Sequence, residues 1–206
     1  MHFTLSDMLS DLTQNAVEAG ATVVRVSVSE TDRDFSAIIE DNGKGMNQAT
    51  LLRASDPFYT DGVKHPGRKV GLGIPFLIQT AEATGGSWGI RSKKEGEKEA
   101  AIGESEIATD LASLSGHGTT VECRVDLTDI DTPPAGDVVG FFRQVLTFDA
   151  KYEMEISRFL DRNGKRREYT VRRSELLDAL GLLEEGAFSD AGSLALVGRY
   201  LESMEE

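Results

Sequence analysis

The chain has 206 residues, of which 39% are hydrophobic and 28% are charged, and these values are typical of a globular protein of about one domain. Its formal net charge of -13 argues against general nucleic-acid binding, because neutralising phosphates requires a basic surface. The single cysteine cannot form an internal disulfide, and the amino terminus lacks a secretory n-region. No apolar run reaches the roughly 20 residues that span a bilayer. We therefore expect a cytoplasmic protein without membrane contact.

The first elements are a helix and two strands. Apolar residues at helical spacing predict a helix from about Leu5 to Ala19. Alternation then predicts strands over Thr22–Ser29 and Phe35–Glu40. On the helix, Asp11 and Asn15 belong to a polar stripe opposite the apolar residues, and such a stripe taken alone is typical of a solvated face.

The middle of the chain alternates helices, strands and loops. In order, the pattern predicts a helix at Gln48–Arg53, a loop over 55–69, a helix at Ile74–Ala83 and strands at Ser87–Ser92 and Thr119–Val125. Between those two strands, residues 93–115 are polar and rich in Glu, Lys, Gly and Ala. We therefore expect them to form a mobile insertion.

A clear boundary follows at Pro133-Pro134. Beyond it the pattern predicts a helix over Val138–Leu146, a hairpin that turns at Asn163-Gly164, and two short helices. Basic residues crowd the hairpin over 162–173. They fit either an exposed edge hairpin protected by charge or a docking surface for an acidic partner protein.

Four short motifs fit one nucleotide site. They are Asn15 on the first helix, Asp41–Met46 at a strand end, Val70–Ile74 at a helix start and Gly116–Thr119 at a strand start. The Asp41 carboxylate can accept a hydrogen bond from an adenine amino group, with the Thr119 hydroxyl beside it. Gly43 and Gly45 allow the backbone to lie against a base.

The remaining residues suit a triphosphate. Gly71 and Gly73 precede a helix start, where free amides and the positive end of the helix dipole can face phosphate. Arg68 and Lys69 add positive charge nearby, and the Asn15 side-chain oxygen can help to hold Mg²⁺ together with phosphates. Each signal is weak alone, but the four motifs in this order are strong together.

The order of motifs resembles the GHKL superfamily of DNA gyrase, ATP-driven heat-shock chaperones, histidine kinases and MutL. The stretch Leu12–Ala21 is similar to its asparagine-bearing motif and Asp41–Met46 to its adenine-binding motif. Val70–Ile74 and Gly116–Thr119 are similar to its second and third glycine motifs, and Asp56–Thr60 to the aromatic start of a histidine-kinase lid. The resemblance covers about residues 5–127, and the whole chain further resembles short, free-standing members from anaerobic bacteria.

The resemblance implies an α/β fold, namely a two-layer α+β sandwich of the Bergerat ATP-binding type with a small carboxy-terminal α/β appendage. It implies an ATP-binding domain at 1–132, with its lid at 55–69 and its insertion at 93–115, and an interaction region at 133–206. ATP and Mg²⁺ would lie between the helices and the lid. The ligands implied for the nucleotide are Asn15, Asp41, Gly43, Gly45, Met46, Arg68, Lys69, Gly71, Leu72, Gly73 and Thr119, with Asn15 also at the metal.

Two departures from the family pattern leave the activity open. Hydrolysing members carry Glu where this chain has Asp11, which is one methylene shorter, so fast hydrolysis is in doubt and a catalytic role for Asp11 stays a hypothesis. Lys69 stands where a glycine often lies. His2, His65 and His117 do not lie on a helix suited to accept phosphate, so phosphoryl transfer would need a separate partner protein. A phosphotransferase, a slow ATPase, a nucleotide sensor and a structural interaction domain therefore remain as alternatives.

Overall fold

The alternating strands assemble into one mixed sheet in the computed structural model, which describes residues 4–57, 73–104, 116–182, 188 and 190–206. Among these residues the strand order is β4-β3-β5-β2-β1-β6-β7. The strands are β1 (Val23–Thr31), β2 (Asp34–Asp41), β3 (Ser87–Lys93), β4 (Ala100–Glu104), β5 (Gly118–Asp126), β6 (Glu153–Arg162) and β7 (Lys165–Arg172).

Six helices form the second layer of the described structure. They are α1 (Leu5–Glu18), α2 (Gln48–Ala54), α3 (Gly73–Ala83), α4 (Val138–Leu146), α5 (Arg173–Leu180) and α6 (Ala191–Glu205). Every helix contributes to one core cluster that also takes alternate residues of the strands, such as Val26 and Ile39. The two-layer α/β sandwich expected from the sequence is therefore confirmed. None of these helices, within the described ranges, is long and apolar enough to cross a bilayer.

Local chemistry explains why α1 begins where it does. The Thr4 hydroxyl accepts a hydrogen bond from the Asp7 N–H at 3.1 Å, and the Asp7 carboxylate accepts one from the Thr4 N–H at 3.2 Å. This reciprocal capping box satisfies two amides that a helix start leaves unpaired. The Leu5 and Ser6 amides donate to the carbonyls of Pro134 and Ala135, which fixes the start of α1 against the segment that follows β5.

The region beyond Pro133-Pro134 is continuous with the sheet. Strand β6 pairs in parallel with β1 along its whole length, with Val26 opposite Ile156, and β7 then adds the outermost strand. The predicted turn lies at Asn163-Gly164, where both residues have positive φ, as a two-residue hairpin turn requires. The predicted appendage is thus two strands of the common sheet together with helices packed on the common core.

The structure corrects two predictions. Part of the expected mobile insertion, Ala100–Glu104, is the edge strand β4, which pairs with β3, and Ala100 is buried. Its short apolar run is flanked by charged residues, which hid the strand from composition. Residues 105–115 lie outside the described part. The last helix, α6, has 15 residues and is not short.

The basic residues of the hairpin largely serve the fold. Arg162 pairs with Glu30, Arg172 pairs with Glu155 at 2.8 Å, and Arg173 is buried and donates to the Leu146 carbonyl at 3.1 Å. These contacts give three of the basic residues a role within the fold, and a docking role for the hairpin stays a prediction.

Candidate functional site

Asp41 is a buried carboxylate at the end of β2. It is 5% exposed and accepts a hydrogen bond from the Gly43 N–H at 2.7 Å. Burial raises the pKa of Asp41 to about 6, although the N–H groups of Gly43 and Thr119 and the charge of His117 lower it. An acceptor held by backbone amides in a largely dry site is suited to bind the amino group of a base.

The turn after Asp41 is fixed by contacts to its neighbours. The Asn42 side-chain oxygen accepts from the Thr22 and Val23 N–H groups at 2.8 and 2.9 Å, so this side chain has a structural role. The Lys44 N–H donates to the Ala19 carbonyl at 3.1 Å. The turn is therefore joined to both the start of β1 and the end of α1.

Two glycines allow backbone segments to lie against one another at this site. Gly118 has φ of 127°, and a Cβ there would lie 1.8 Å from the Asp41 carbonyl oxygen. Gly45 has φ of 62°, and a Cβ there would lie 1.9 Å from the Lys93 carbonyl oxygen. Any larger residue would force the Asp41–Met46 turn away from β3 or β5.

Sequence reasoning missed Ser92, which organises the same region. Ser92 is fully buried opposite Thr119 in the sheet, and its hydroxyl lies 2.8 Å from the Thr119 hydroxyl. The same oxygen accepts from the Met46 N–H at 2.8 Å. A lone serine at an inward position of an otherwise ordinary strand is the one signal that could have identified it. Met46 and Thr119, both predicted ligands, are thus linked through Ser92.

Sequence reasoning also missed a role for His117. Its Nδ1 lies 2.8 Å from the Gly43 carbonyl oxygen, so the imidazole spans from the start of β5 to the turn after β2. The histidine is half-buried. The sequence alone presents it only as a residue between two glycines.

Helix α1 joins the two halves of the predicted site. A Cβ on Gly43 would lie 3.0 Å from the Ala19 Cβ, and a Cβ on Gly73 would lie 3.5 Å from the Asp11 Cβ. The turn after Asp41 and the amino end of α3 therefore contact the same helix, eight residues or about 12 Å of helical rise apart. Asn15 is exposed midway between them, one turn from each. This arrangement places the predicted base-binding turn and the predicted phosphate-binding helix start along one side of α1.

The chain alone offers few ligands for a metal ion. In the described ranges no three His, Cys, Asp or Glu side chains come together in a group that could hold one. Mg²⁺ commonly takes one or two protein oxygens and completes its shell with phosphates and water. The exposed side-chain oxygen of Asn15 fits that mode, in which the nucleotide supplies most of the ligands.

Several predicted residues lie outside the described part of the chain. They are Arg68, Lys69, Gly71 and Leu72, together with residues 58–69 of the predicted lid. Their roles stay predictions.

Comparison with known families identifies the domain type. A family model described as histidine kinase-, DNA gyrase B- and HSP90-like ATPase matches residues 3–129. This match covers more than half of the chain and includes α1 through β5. All the predicted site residues fall inside it.

Curated relatives share shorter stretches. The signal transduction histidine-protein kinase AfsQ2 of Streptomyces coelicolor is 31% identical over 93 residues, which are 45% of this chain and 17% of that kinase. The tetrathionate sensor histidine kinase TtrS of Salmonella typhimurium is 32% identical over 74 residues, which are 36% of this chain and 12% of that kinase. The chain thus matches only a small share of each kinase.

A solved structure shares the fold. The crystal structure of the N-terminal domain of a DNA repair protein matches with a TM-score of 0.50 at 13% identity, over 93% of this chain and 58% of that one. This coverage is larger than the share of the chain that the family model matches, so the fold likeness extends past residue 129.

Proposed function

The chain belongs to the histidine kinase-, DNA gyrase B- and HSP90-like ATPase family, and on this basis we propose that it is a cytoplasmic Mg-ATP-binding protein that acts on a separate partner protein. Its action on the partner is phosphoryl transfer or an ATP-driven switch. The observation that carries the proposal is that the turn after the buried Asp41 and the amino end of α3 lie against the same helix, α1.

The base is held at the carboxylate end of the site. The Asp41 carboxylate accepts the exocyclic amino group of adenine, and the Thr119 hydroxyl lies beside it. Gly43, Gly45 and Met46 present backbone to the face and edge of the base. Because the Asp41 carboxylate is buried, this one contact contributes strongly to the choice of adenine over bases that present a carbonyl there.

The phosphates lie toward the amino end of α3. Amides before Gly73 and the positive end of the helix dipole favour the negative charge of the triphosphate. Arg68, Lys69, Gly71 and Leu72 would complete this half. Mg²⁺ would be held by Asn15 and phosphate oxygens, and when bound it neutralises charge on the transferring group.

Asp11 bears on whether ATP is hydrolysed. It contacts the first residue of α3 and is thus on the phosphate side of the site. Its carboxylate can orient a water or an acceptor group, but it reaches one methylene less far than Glu. This shorter reach supports transfer to a partner, or slow turnover, over rapid hydrolysis.

Ligand-dependent melting tests the proposal directly. A ligand that binds only the native state raises the melting temperature, so Mg-ATP and Mg-ADP should do so and Mg-GTP should not. Asp41→Asn should remove the shift. The absence of any shift in the wild-type chain, together with no binding by calorimetry, would leave only a structural interaction domain.

A second candidate function is a non-enzymatic nucleotide sensor, which the short Asp11 side chain favours. Incubation with γ-labelled ATP separates the two functions. Labelled phosphate, or a labelled protein after incubation with cell extract, supports the enzyme. Tight Mg-ATP binding with neither product supports the sensor.

A further inference from the structure

We propose that His117 is a positioning residue that sets the selectivity for adenine by holding the carbonyl of Gly43. The inference rests on the proposed function and concerns the same site. His117 would not touch the nucleotide itself. It acts through the Asp41–Met46 turn.

The hydrogen bond has a defined direction. A carbonyl oxygen can only accept, so the contact of 2.8 Å requires the His117 Nδ1 to carry the proton. Gly43 is buried between Ala19 and the Asp41 side chain. The imidazole therefore holds a buried carbonyl, and such a group is costly to leave without a partner.

Gly43 is then held from both sides. Its N–H donates to the Asp41 carboxylate at 2.7 Å, and its carbonyl accepts from His117. Glycine has no side chain to restrict its backbone, so these two hydrogen bonds help to fix the orientation of Gly43, together with the contacts that Asn42 and Lys44 make on either side. Because the Gly43 N–H in turn orients the Asp41 carboxylate, His117 controls the angle at which that carboxylate meets a base.

A second observation links His117 to the carboxylate. The charge of an imidazolium at this position lowers the pKa of Asp41, in the same direction as the amide hydrogen bonds and against the effect of burial. Thr119, two residues along β5, also donates its N–H to Asp41. The short run His117–Thr119 therefore holds both the carboxylate and the turn that follows it.

The phosphate half of the site is separate from this contact. The amino end of α3 meets α1 at Asp11, about 12 Å of helical rise from Ala19, where the Gly43 turn meets α1. Loss of the His117 hydrogen bond should therefore weaken recognition of the base and leave phosphate binding largely unchanged. A loss of folded protein would instead weaken the binding of all nucleotides equally.

Dissociation constants for Mg-ADP and Mg-GDP, measured by calorimetry on the full chain, test the inference without interference from turnover. His117→Leu should weaken the affinity for Mg-ADP about tenfold and change the affinity for Mg-GDP less than threefold. His117→Asn should restore Mg-ADP affinity to within threefold of wild type, because its amide nitrogen is bonded to Cγ as Nδ1 is. His117→Gln places its amide one bond further out and should not restore it.

Thr132→Val provides a matched control. The Thr132 hydroxyl donates to the Asp126 carbonyl at 2.6 Å, and so also braces a loop, but at the other end of β5. This variant should keep the ADP-to-GDP ratio of the wild type.

The possible outcomes distinguish a failure of the inference from a failure of the proposed function. If the wild type binds ADP selectively and His117→Leu keeps the same ratio, the inference is wrong and the proposed function stands. If His117→Leu does not fold, equal ADP affinity of the Asn and Gln variants overturns the inference. If the wild type binds neither nucleotide, both the proposed function and the inference fail.

Discussion

The proposed nucleotide binding needs the ionised Asp41 carboxylate, but its ionisation lowers the free energy of unfolding. Its carboxylate is buried, and burial raises its pKa from 3.8 to about 6. The folded chain therefore binds the Asp41 proton more tightly than the unfolded chain does. By linkage, this residue lowers the free energy of unfolding as pH rises from about 4 to about 6 and holds it lower above that range.

We expect Asp41→Asn to separate function from stability. The variant should lose adenine-nucleotide binding, because an NH2 donor replaces one of the two accepting oxygens and the oxygen that remains accepts from the Gly43 N–H. Its free energy of unfolding relative to wild type should be about 1–2 kcal/mol more favourable at pH 8 than at pH 5, because only the wild type loses stability as the carboxylate ionises. Urea unfolding at the two pH values measures this difference. A difference that does not vary with pH would contradict the assigned cause.

Ser92 gives a second prediction at this scale. Ser92→Ala should lower the free energy of unfolding by about 1–2 kcal/mol, because the partly buried Met46 N–H and the buried Thr119 hydroxyl lose a shared partner. It should also weaken Mg-ADP binding through the displaced Met46 backbone. Urea unfolding and calorimetry measure both effects. Ser27→Ala, on the opposite face of the sheet, should change neither.

In the turn after β2, the cost of replacing a glycine depends more on the space around it than on its backbone conformation. Gly45 and Gly20 both have positive φ, but a Cβ on Gly45 would collide with the Lys93 carbonyl, whereas one on Gly20 meets no described atom within 4 Å. Gly20→Ala should thus cost about 1 kcal/mol, the usual penalty for a left-handed residue. Gly45→Ala should cost several kcal/mol more and remove nucleotide binding. Equal melting temperatures for the two variants would show that β3 adjusts to the extra atom.

The local sequence pattern predicted the individual helices and strands better than it predicted how the strands pair. Alternation over Val24–Val28 and the apolar spacing of α1 follow from burial on one side, so the sequence predicted both. The strand β4 was missed because Ala100–Glu104 is short and lies among charged residues. The parallel pairing of β1 with β6 joins residues about 130 positions apart, and no local signal carries such a contact.

The same contrast applies to the site. Asp41 and its glycines form a contiguous motif, which the sequence revealed. Ser92 of β3 and His117, which directly precedes β5, reach the site through side-chain hydrogen bonds from distant parts of the chain. A single polar residue leaves no periodic signal, so their roles required the structure.

At the scale of the whole molecule, a buried ion-pair network joins the first strand to the last helix. Arg158 of β6 is 3% exposed and pairs with Glu30 of β1 at 2.7 Å and with Glu205 of α6 at 3.2 Å. The Arg158 Nη1 has no hydrogen-bond partner among the described residues. Charges in such a place stabilise a fold only while their partners remain.

We expect Glu30→Gln to lower the free energy of unfolding by about 3 kcal/mol, because it leaves a buried guanidinium short of one carboxylate. Arg172→Gln removes a pair of similar length to Glu155, but one that is half exposed and screened by solvent, so it should cost clearly less than Glu30→Gln. Urea unfolding of the two variants compares them, and neither should alter Mg-ADP affinity. Equal losses of unfolding free energy in the two variants would mean that solvent reaches Arg158.

The final prediction concerns the boundary at 132/133, which is close to the end of the family match at 129 but not the end of the sheet. A fragment of residues 1–132 would expose the edge of β1 that pairs with β6 over Val23–Thr31. It would also uncover core residues of α1 that now pack against α4, whose Phe142 and Leu146 are fully buried.

We therefore expect the 1–132 fragment to lack a cooperative unfolding transition and to aggregate through its open edge, although it contains every predicted nucleotide ligand. Adding residues 133–206 as a separate chain should restore solubility and the Mg-ADP-dependent thermal shift, because these residues supply the two missing strands and a large share of the core residues. Circular dichroism, size-exclusion chromatography and thermal shift measure this. A 1–132 fragment that is monomeric, unfolds cooperatively and binds Mg-ADP would instead show that the ATP-binding domain ends at 132 and that β6 and β7 are an addition it does not need.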